Sequence, residues 1–302
     1  MNTPRLIKES TTPSQKILLE ALEARWKNYR VELKRCRVEF SNEAVHDLRV
    51  ATRRMLALIK MLNSISPRPR LQKLTRIFKG QLDEFDDLRD TQVILAELSE
   101  ILQEFPQLQD FQKHLRFAEE KMLRVLRKKI KKMEMTEVTK RVRKTHESFE
   151  AESLEDLEAQ VMQAVDDACL LARQRLVWVD PARSTTIHRV RVAFKTFRYM
   201  VEIVHPLLRD FPAGNLKLMH DYQSLMGEVQ DAEVFAQTLV DFSEYAAFPF
   251  LEPVRRYYEE RHSEATSAYI QAMNQLDDFW RPAPDQPFPW EKTNENLSDP
   301  PQ

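Results

Sequence analysis

Apolar positions recur every three to four residues through most of the chain. From Gln15 to Val38 they fall at Ile17, Leu18, Leu22, Trp26 and Tyr29, the spacing of one buried stripe on a helix. Ser41 and Asn42 offer cap residues for a second helix that runs to about Asn63, before S-P-R-P from Ser66 breaks it. The same period predicts helices over Leu71–Leu82 and Leu88–Phe105, then a long charged helix from Leu108 to about His146. Ser148–Glu158 is acidic and poor in large apolar residues, which marks an internal boundary. Beyond it, helices are predicted over Leu157–Val177, Thr185–Leu208, Leu216–Met226, Asp231–Tyr245 and Leu251 to about Leu276. Asp180-Pro181 and Phe211-Pro212 supply breaks. No segment alternates like a strand without also fitting a helix. After Trp280 the run R-P-A-P-D-Q-P-F-P-W and a polar, proline-rich end predict disorder over 280–302. The expected fold is therefore all-α, with one antiparallel four-helix-type bundle over 14–147 and a second over 148–279.

The two halves share more than a rhythm. V-H-D-L-R-V-A-T-R-R from Val45 and I-H-R-V-R-V-A-F-K-T from Ile187 place their histidines, His46 and His188, 142 residues apart. F-D-D-L-R-D-T-Q-V from Phe85 and M-G-E-V-Q-D-A-E-V from Met226 repeat at 141. Two motifs in the same order at nearly the same offset indicate a tandem duplication.

Composition narrows what the repeated unit can do. The chain holds only 3 glycines, so Gly80, Gly214 and Gly227 cannot build a Gly-rich phosphate loop. A formal net charge of −1 argues against a uniformly basic protein and leaves room for a local patch. Cys36 and Cys169 lack metal or redox spacing and read as buried apolar thiols. The N-terminus has no apolar core and no run approaches about 18 apolar residues, so a cytoplasmic protein without a membrane partner is expected.

At about 100° per residue, His46, Arg49, Arg53 and Lys60 share one arc of the first histidine helix, while Leu48, Met55, Ile59 and Leu62 share another. The second copy separates His188, Arg191, Lys195 and Arg198 from Val190, Phe194, Phe197, Val201 and Val204. A solvated face would mix acids with bases for i to i+4 pairing, yet only Glu202 joins these cations. Unpaired cations repel one another, which calls for an anionic partner. Arg54 lies off the arc and ranks second. On the next helix Arg76 aligns with Lys217 and Lys79 with His220, and Lys73 precedes them by a turn. Asp90 and Asp231 also recur, as helix caps or as a buried pair with a neighbouring arginine. The basic run Lys121–Lys132 surrounds its helix and has no counterpart, so it reads as a solvated surface.

The two histidine motifs and the L-R-D-T-Q-V segment resemble the CHAD family, the conserved histidine α-helical domain, over about Ser14 to Met273. That resemblance implies two bundles related by pseudo-twofold symmetry around a basic central groove or pore that binds inorganic polyphosphate. By position, His46, Arg49, Arg53, Arg54 and Lys60 match the first family helix, and His188, Arg191, Lys195 and Arg198 the second. Leu56 stands where the family usually has a base, Asp86 where it has glycine, and Gln230 where it has arginine. Localisation at polyphosphate granules is a further family expectation.

A row of cations suits a repeating polyanion through charge-assisted hydrogen bonds. The histidines either contact the anion, gaining charge in mild acid, or orient the arginines as neutral groups. No nucleophile with a paired base repeats beside them and no carboxylate cluster has metal-ligand spacing, so neither enzyme activity, a metal nor a cofactor is expected. Alternatives are a histidine phosphotransfer module and a helical scaffold for nucleic acid or an acidic protein. Oligomeric state stays open.

Overall fold

The structure, a computed structural model, describes residues 12–152, 155–246 and 252–291, without the side chains of Tyr245 and Ala246. Among the described residues all regular structure is helical. Helix α1 (Pro13–Val38) starts where the Thr12 hydroxyl accepts from Gln15 N at 3.3 Å. Helix α2 (Asn42–Ile65) starts where Ser41 accepts from Ala44 N at 3.2 Å. These are side-chain N-caps of the kind the sequence pattern requires. There follow α3 (Pro69–Glu84), α4 (Asp86–Ile101), a 3-10 turn at Pro106–Leu108, α5 (Gln109–Lys132) and α6 (Thr136–Ala151). The chain continues through α7 (Leu157–Leu176), α8 (Ser184–Val204), α9 (Asn215–Ala246), α10 (Glu252–Ala272) and a 3-10 segment, Met273–Phe279.

Two boundaries differ from the sequence expectation. The long charged helix breaks at Met133, whose backbone turns extended; its N–H closes the last turn on Ile130 O at 3.3 Å, and Arg37 Nε donates to the same carbonyl at 3.1 Å. The break lets α6 fold back against α1 and α3 and bury Val138, Val142 and Phe149. Conversely, the helices expected over Leu216–Met226 and Asp231–Tyr245 are one continuous α9. Its counterpart in the first half does break, at the buried Phe85 between α3 and α4.

Helix α2 packs on α1, α3, α7 and α8, while α8 packs on α7 and α9, so the two histidine helices are neighbours. The apolar interior forms two clusters. The larger joins Leu48, Met55 and Phe78 to Phe194, Phe197 and Tyr222; the smaller joins Leu98 and Phe111 to Phe235 and Tyr258. Each cluster thus draws on both sides of residue 147. Cys36 and Cys169 are free and fully buried.

The expected disorder from residue 280 is corrected over 280–291. Trp280 is wholly buried and its Nε1 donates to Asp166 Oδ1 at 2.7 Å, while Arg281 binds Asp166 Oδ2 at 2.6 Å. Phe288 stacks on Trp290, whose Nε1 donates to Arg209 O at 3.2 Å. Proline-rich composition predicts disorder only where little apolar surface is available to bury, and three aromatics here supply it. Residues 292–302 lie outside the described residues. Among the described residues no helix is long and apolar enough to cross a membrane.

Candidate functional site

Core packing fixes the rotation of the two histidine helices. Helix α2 buries Leu48, Met55, Leu58, Ile59 and Leu62, and α8 buries Val190, Phe194, Phe197 and Val201. With those stripes turned inward, Arg49 and Arg53 of α2 come within electrostatic reach of Arg191 and Lys195 of α8. Arg89 of α4 joins them, acting on both Arg49 and His46. Five cations from three helices therefore converge.

The convergence shows in their protonation. Burial, then the guanidiniums of Arg191, Arg53 and Arg49, lowers the Lys195 ammonium to about 6, against a weaker pull from Asp231. Burial and Arg49 lower Arg53 to about 10. Arg191 and Arg89 are lowered too, chiefly by burial, with Asp231 opposing. His46 is exposed, yet partial desolvation and Arg89 push it below the usual histidine value. Desolvation and like charges both disfavour a cation, and here they act together.

Carboxylates border the cluster without neutralising it. Asp90 and Asp231 sit inside α4 and α9, so neither caps a helix. Burial raises both; Asp86 raises Asp90 further, while Arg191 and Arg89 hold Asp231 back. Among the described residues, no carboxylate oxygen lies within the 4.0 Å of an ion pair for Arg53, Arg89, Arg191 or Lys195. Arg191 Nε is buried with no hydrogen-bond partner.

The departures from the repeated pattern now have physical content. Asp86 takes Arg49 Nη2 at 2.6 Å, and Arg49 Nη1 donates to Leu82 O at 3.0 Å, a carbonyl that also accepts from Phe85 N at the helix break. Arg49 is consequently pinned and only 4% exposed. At the corresponding position of the second half stands Gly227, and Arg191 lies across it: an added Cβ would meet Arg191 Nη2 at 3.3 Å. A glycine here admits a guanidinium against the helix backbone, and an aspartate captures one. Likewise, His188 Nδ1 bonds the neutral amide of Gln230, whereas His46 meets charged Arg89 at the position corresponding to Gln230.

Other predicted residues fall outside this cluster. Arg54 and Arg198 share Glu202, at 3.0 and 4.0 Å, with Arg25 of α1 as a third partner at 4.0 Å. Arg198 Nη1 also donates to His220 Nδ1 at 3.2 Å and lies over the Tyr199 ring. These groups stitch α1, α2, α8 and α9 together. Lys60 and His188 line an open groove of about 720 Å³ with Arg175 and Arg189. Lys79 acts on Lys60 and, like Lys73 and Arg76, is exposed on α3; Lys217 pairs with Asp221 on its own helix. Sequence reasoning missed Arg89, although it lies in the repeated second motif, because its partner position is Gln230. It also missed Arg25, lowered to about 10 by burial, which no repeat signals. Among the described residues no group of three His, Cys, Asp or Glu could hold a metal ion.

The model of a family described as the CHAD domain matches residues 18–240. A solved structure, that of the CHAD domain from the plant Ricinus communis, superposes with a TM-score of 0.64 at 16% sequence identity, covering 92% of this chain and 94% of that one. At that identity the likeness concerns the fold. Comparison with curated proteins gives no match.

Proposed function

The chain belongs to the CHAD domain family, and from that premise we propose that it binds inorganic polyphosphate, without catalysis, along a basic groove between α2 and α8. One observation carries the reading: Arg53, Arg89 and Arg191 converge around Lys195, and among the described residues none of the three has a carboxylate within ion-pair distance. Crowded cations are costly in a folded protein unless a ligand supplies the missing charge. Polyphosphate has about one negative charge per phosphate and oxygens at every step, so it suits a row of forked donors. Arg53 and Arg191 are the principal contacts; Arg49 contributes charge while Asp86 holds it. Lys195 joins by taking up a proton when the anion arrives. Lys60, Lys73, Arg76 and Lys79 extend the attraction, and Arg54, Arg198 and His220 brace the wall.

Titration calorimetry with long-chain polyphosphate tests the reading. Binding is expected at low salt and should weaken steadily as salt rises, as for other polyanions whose counterions are released. An Arg53→Glu, Arg191→Glu double variant of unchanged helicity should lose it. No binding at low salt overturns the proposal. Displacement of polyphosphate by RNA or DNA at equal phosphate concentration would favour a nucleic-acid ligand instead. Localisation in the cytoplasm at polyphosphate granules follows from the same ligand, and fluorescence of the tagged chain in cells with and without polyphosphate checks it.

A further inference from the structure

We propose that the turn between α7 and α8 binds a nucleoside di- or triphosphate, with its base laid on Trp178 and its phosphates held by Arg175 and Arg189. A cavity of about 340 Å³ opens there, lined by Arg175, Trp178, Arg183, Thr186 and Arg189. None of the residues assigned above to polyphosphate lines it. Its volume is that of a small-molecule site, so it fits one ligand of nucleotide size and not a folded partner.

The wall of the cavity is fixed before any ligand arrives. Thr186 Oγ1 accepts from Asp180 N at 3.0 Å and donates to Arg183 O at 2.7 Å, and Ala182 N donates to Asp180 Oδ1 at 3.0 Å. Arg183 Nε pairs with Asp180 Oδ2 at 2.6 Å, which neutralises it within the turn. Arg175 and Arg189 are different: among the described residues neither makes an ion pair or a side-chain hydrogen bond. Elsewhere on the surface Arg143, Arg255 and Arg261 each find a carboxylate. Two unpaired guanidiniums thus reach one cavity from two helices, Arg175 from α7 and Arg189 from α8. Between them stands an indole without a partner. Trp178 is 77% exposed, whereas Trp26, Trp280 and Trp290 are buried. Those three each pack on another ring, and among the described residues Trp178 packs on none. Tryptophan has a large apolar area to bury, so an indole left in water beside a cavity calls for a flat group to cover it.

Each group answers one part of a nucleotide. An indole face takes any base by stacking, a contact worth about tenfold or more in affinity. Forked guanidinium donors take phosphate oxygens in pairs through charge-assisted hydrogen bonds. An inorganic phosphate chain offers nothing to the indole, and an uncharged nucleoside offers no charge to the arginines. Base identity should matter little, because Thr186, the one neutral hydroxyl in the lining, already has its oxygen bonded to backbone groups. Purines should outbind pyrimidines, which present a smaller ring to stack.

Trp178 makes the site easy to watch, since the other three tryptophans are buried. ATP is titrated into the whole chain at low salt, following indole fluorescence and its quenching by acrylamide. ATP should bind saturably and shield Trp178 from acrylamide. GTP should match it within about threefold, while adenosine and tripolyphosphate should each bind at least about tenfold more weakly. Calorimetry on variants of unchanged helicity assigns the contacts. Trp178→Ala should weaken ATP binding by about tenfold or more and hold long-chain polyphosphate as the wild type does. Arg175→Gln combined with Arg189→Gln should abolish ATP binding. No saturable ATP binding at low salt, unchanged ATP affinity in Trp178→Ala, or tripolyphosphate as tight as ATP overturns the proposal. ATP binding that is lost in the Arg53→Glu, Arg191→Glu double variant but indifferent to Trp178 would place the nucleotide among the polyphosphate residues and overturn it too. A chain that binds ATP at Trp178 but no polyphosphate supports this inference and refutes only the polyphosphate reading.

Discussion

Replacing Lys195 by methionine is expected to stabilise the free protein and weaken its hold on polyphosphate. Methionine keeps the length of the side chain and removes the amine. In the fold, burial and the guanidiniums of Arg191, Arg53 and Arg49 lower that amine to about 6, against 10.5 for an ordinary lysine. Between those values the unfolded chain binds a proton that the folded chain does not. Wild-type stability contributed by this group therefore falls as pH is lowered from 10.5 towards 6 and is level below 6, where both states are charged. At pH 7 the cost reaches up to about 5 kcal/mol, and it changes by about 1.4 kcal/mol per pH unit within the window. Urea denaturation of both proteins followed by circular dichroism at pH 7, 8 and 9 measures it. The variant should be the more stable, with an advantage that shrinks as pH rises. Polyphosphate should restore the proton, so binding by the wild type should take up about one proton per site, visible as a dependence of calorimetric heat on buffer ionisation. The variant should lose that uptake. Equal stabilities, or a difference that ignores pH, would refute the claim that Lys195 is held neutral by its neighbours.

Other expectations follow from the departures between the two halves. Asp86→Asn removes the anion that pins Arg49 and should tighten polyphosphate binding by up to about fivefold in calorimetry, since Asp86 is half exposed. Gly227→Ala should leave stability unchanged or raise it by up to about 1 kcal/mol through helix propensity, yet lower polyphosphate affinity by displacing Arg191. Unaltered affinity would mean that Arg191 does not contact the ligand. Trp280→Ala should cost about 3–5 kcal/mol in urea denaturation while leaving binding by the folded protein intact, because Trp280 packs on Phe197, in the apolar stripe of α8 and not in its cationic one.

Several features were legible along the chain. Breaks at Pro69, capping at Ser41 and the apolar stripes of α2 and α8 are local or periodic, and a linear sequence displays local and periodic information directly. The separation of Arg49, Arg53, Arg191 and Lys195 from those stripes was equally plain. What was not legible came from distance. Glu202 joins Arg25, Arg54 and Arg198 from three helices, and no spacing announces that. The division of α5 from α6 depends on what α6 can bury on α1 and α3, and the order of 280–291 depends on a pocket beside Asp166.

By itself the sequence determined an all-helical chain with two cationic faces, because helix period and the segregation of charge from apolar surface are properties of residue order. Tertiary structure alone decided which cations are free. Arg49 and Arg191 occupy equivalent places in their motifs, yet one is held by Asp86 and the other rests on Gly227 with a donor unpaired. Lys195 is chemically unlike the other lysines for the same reason: charge and burial act through space, and only the fold sets which groups share that space.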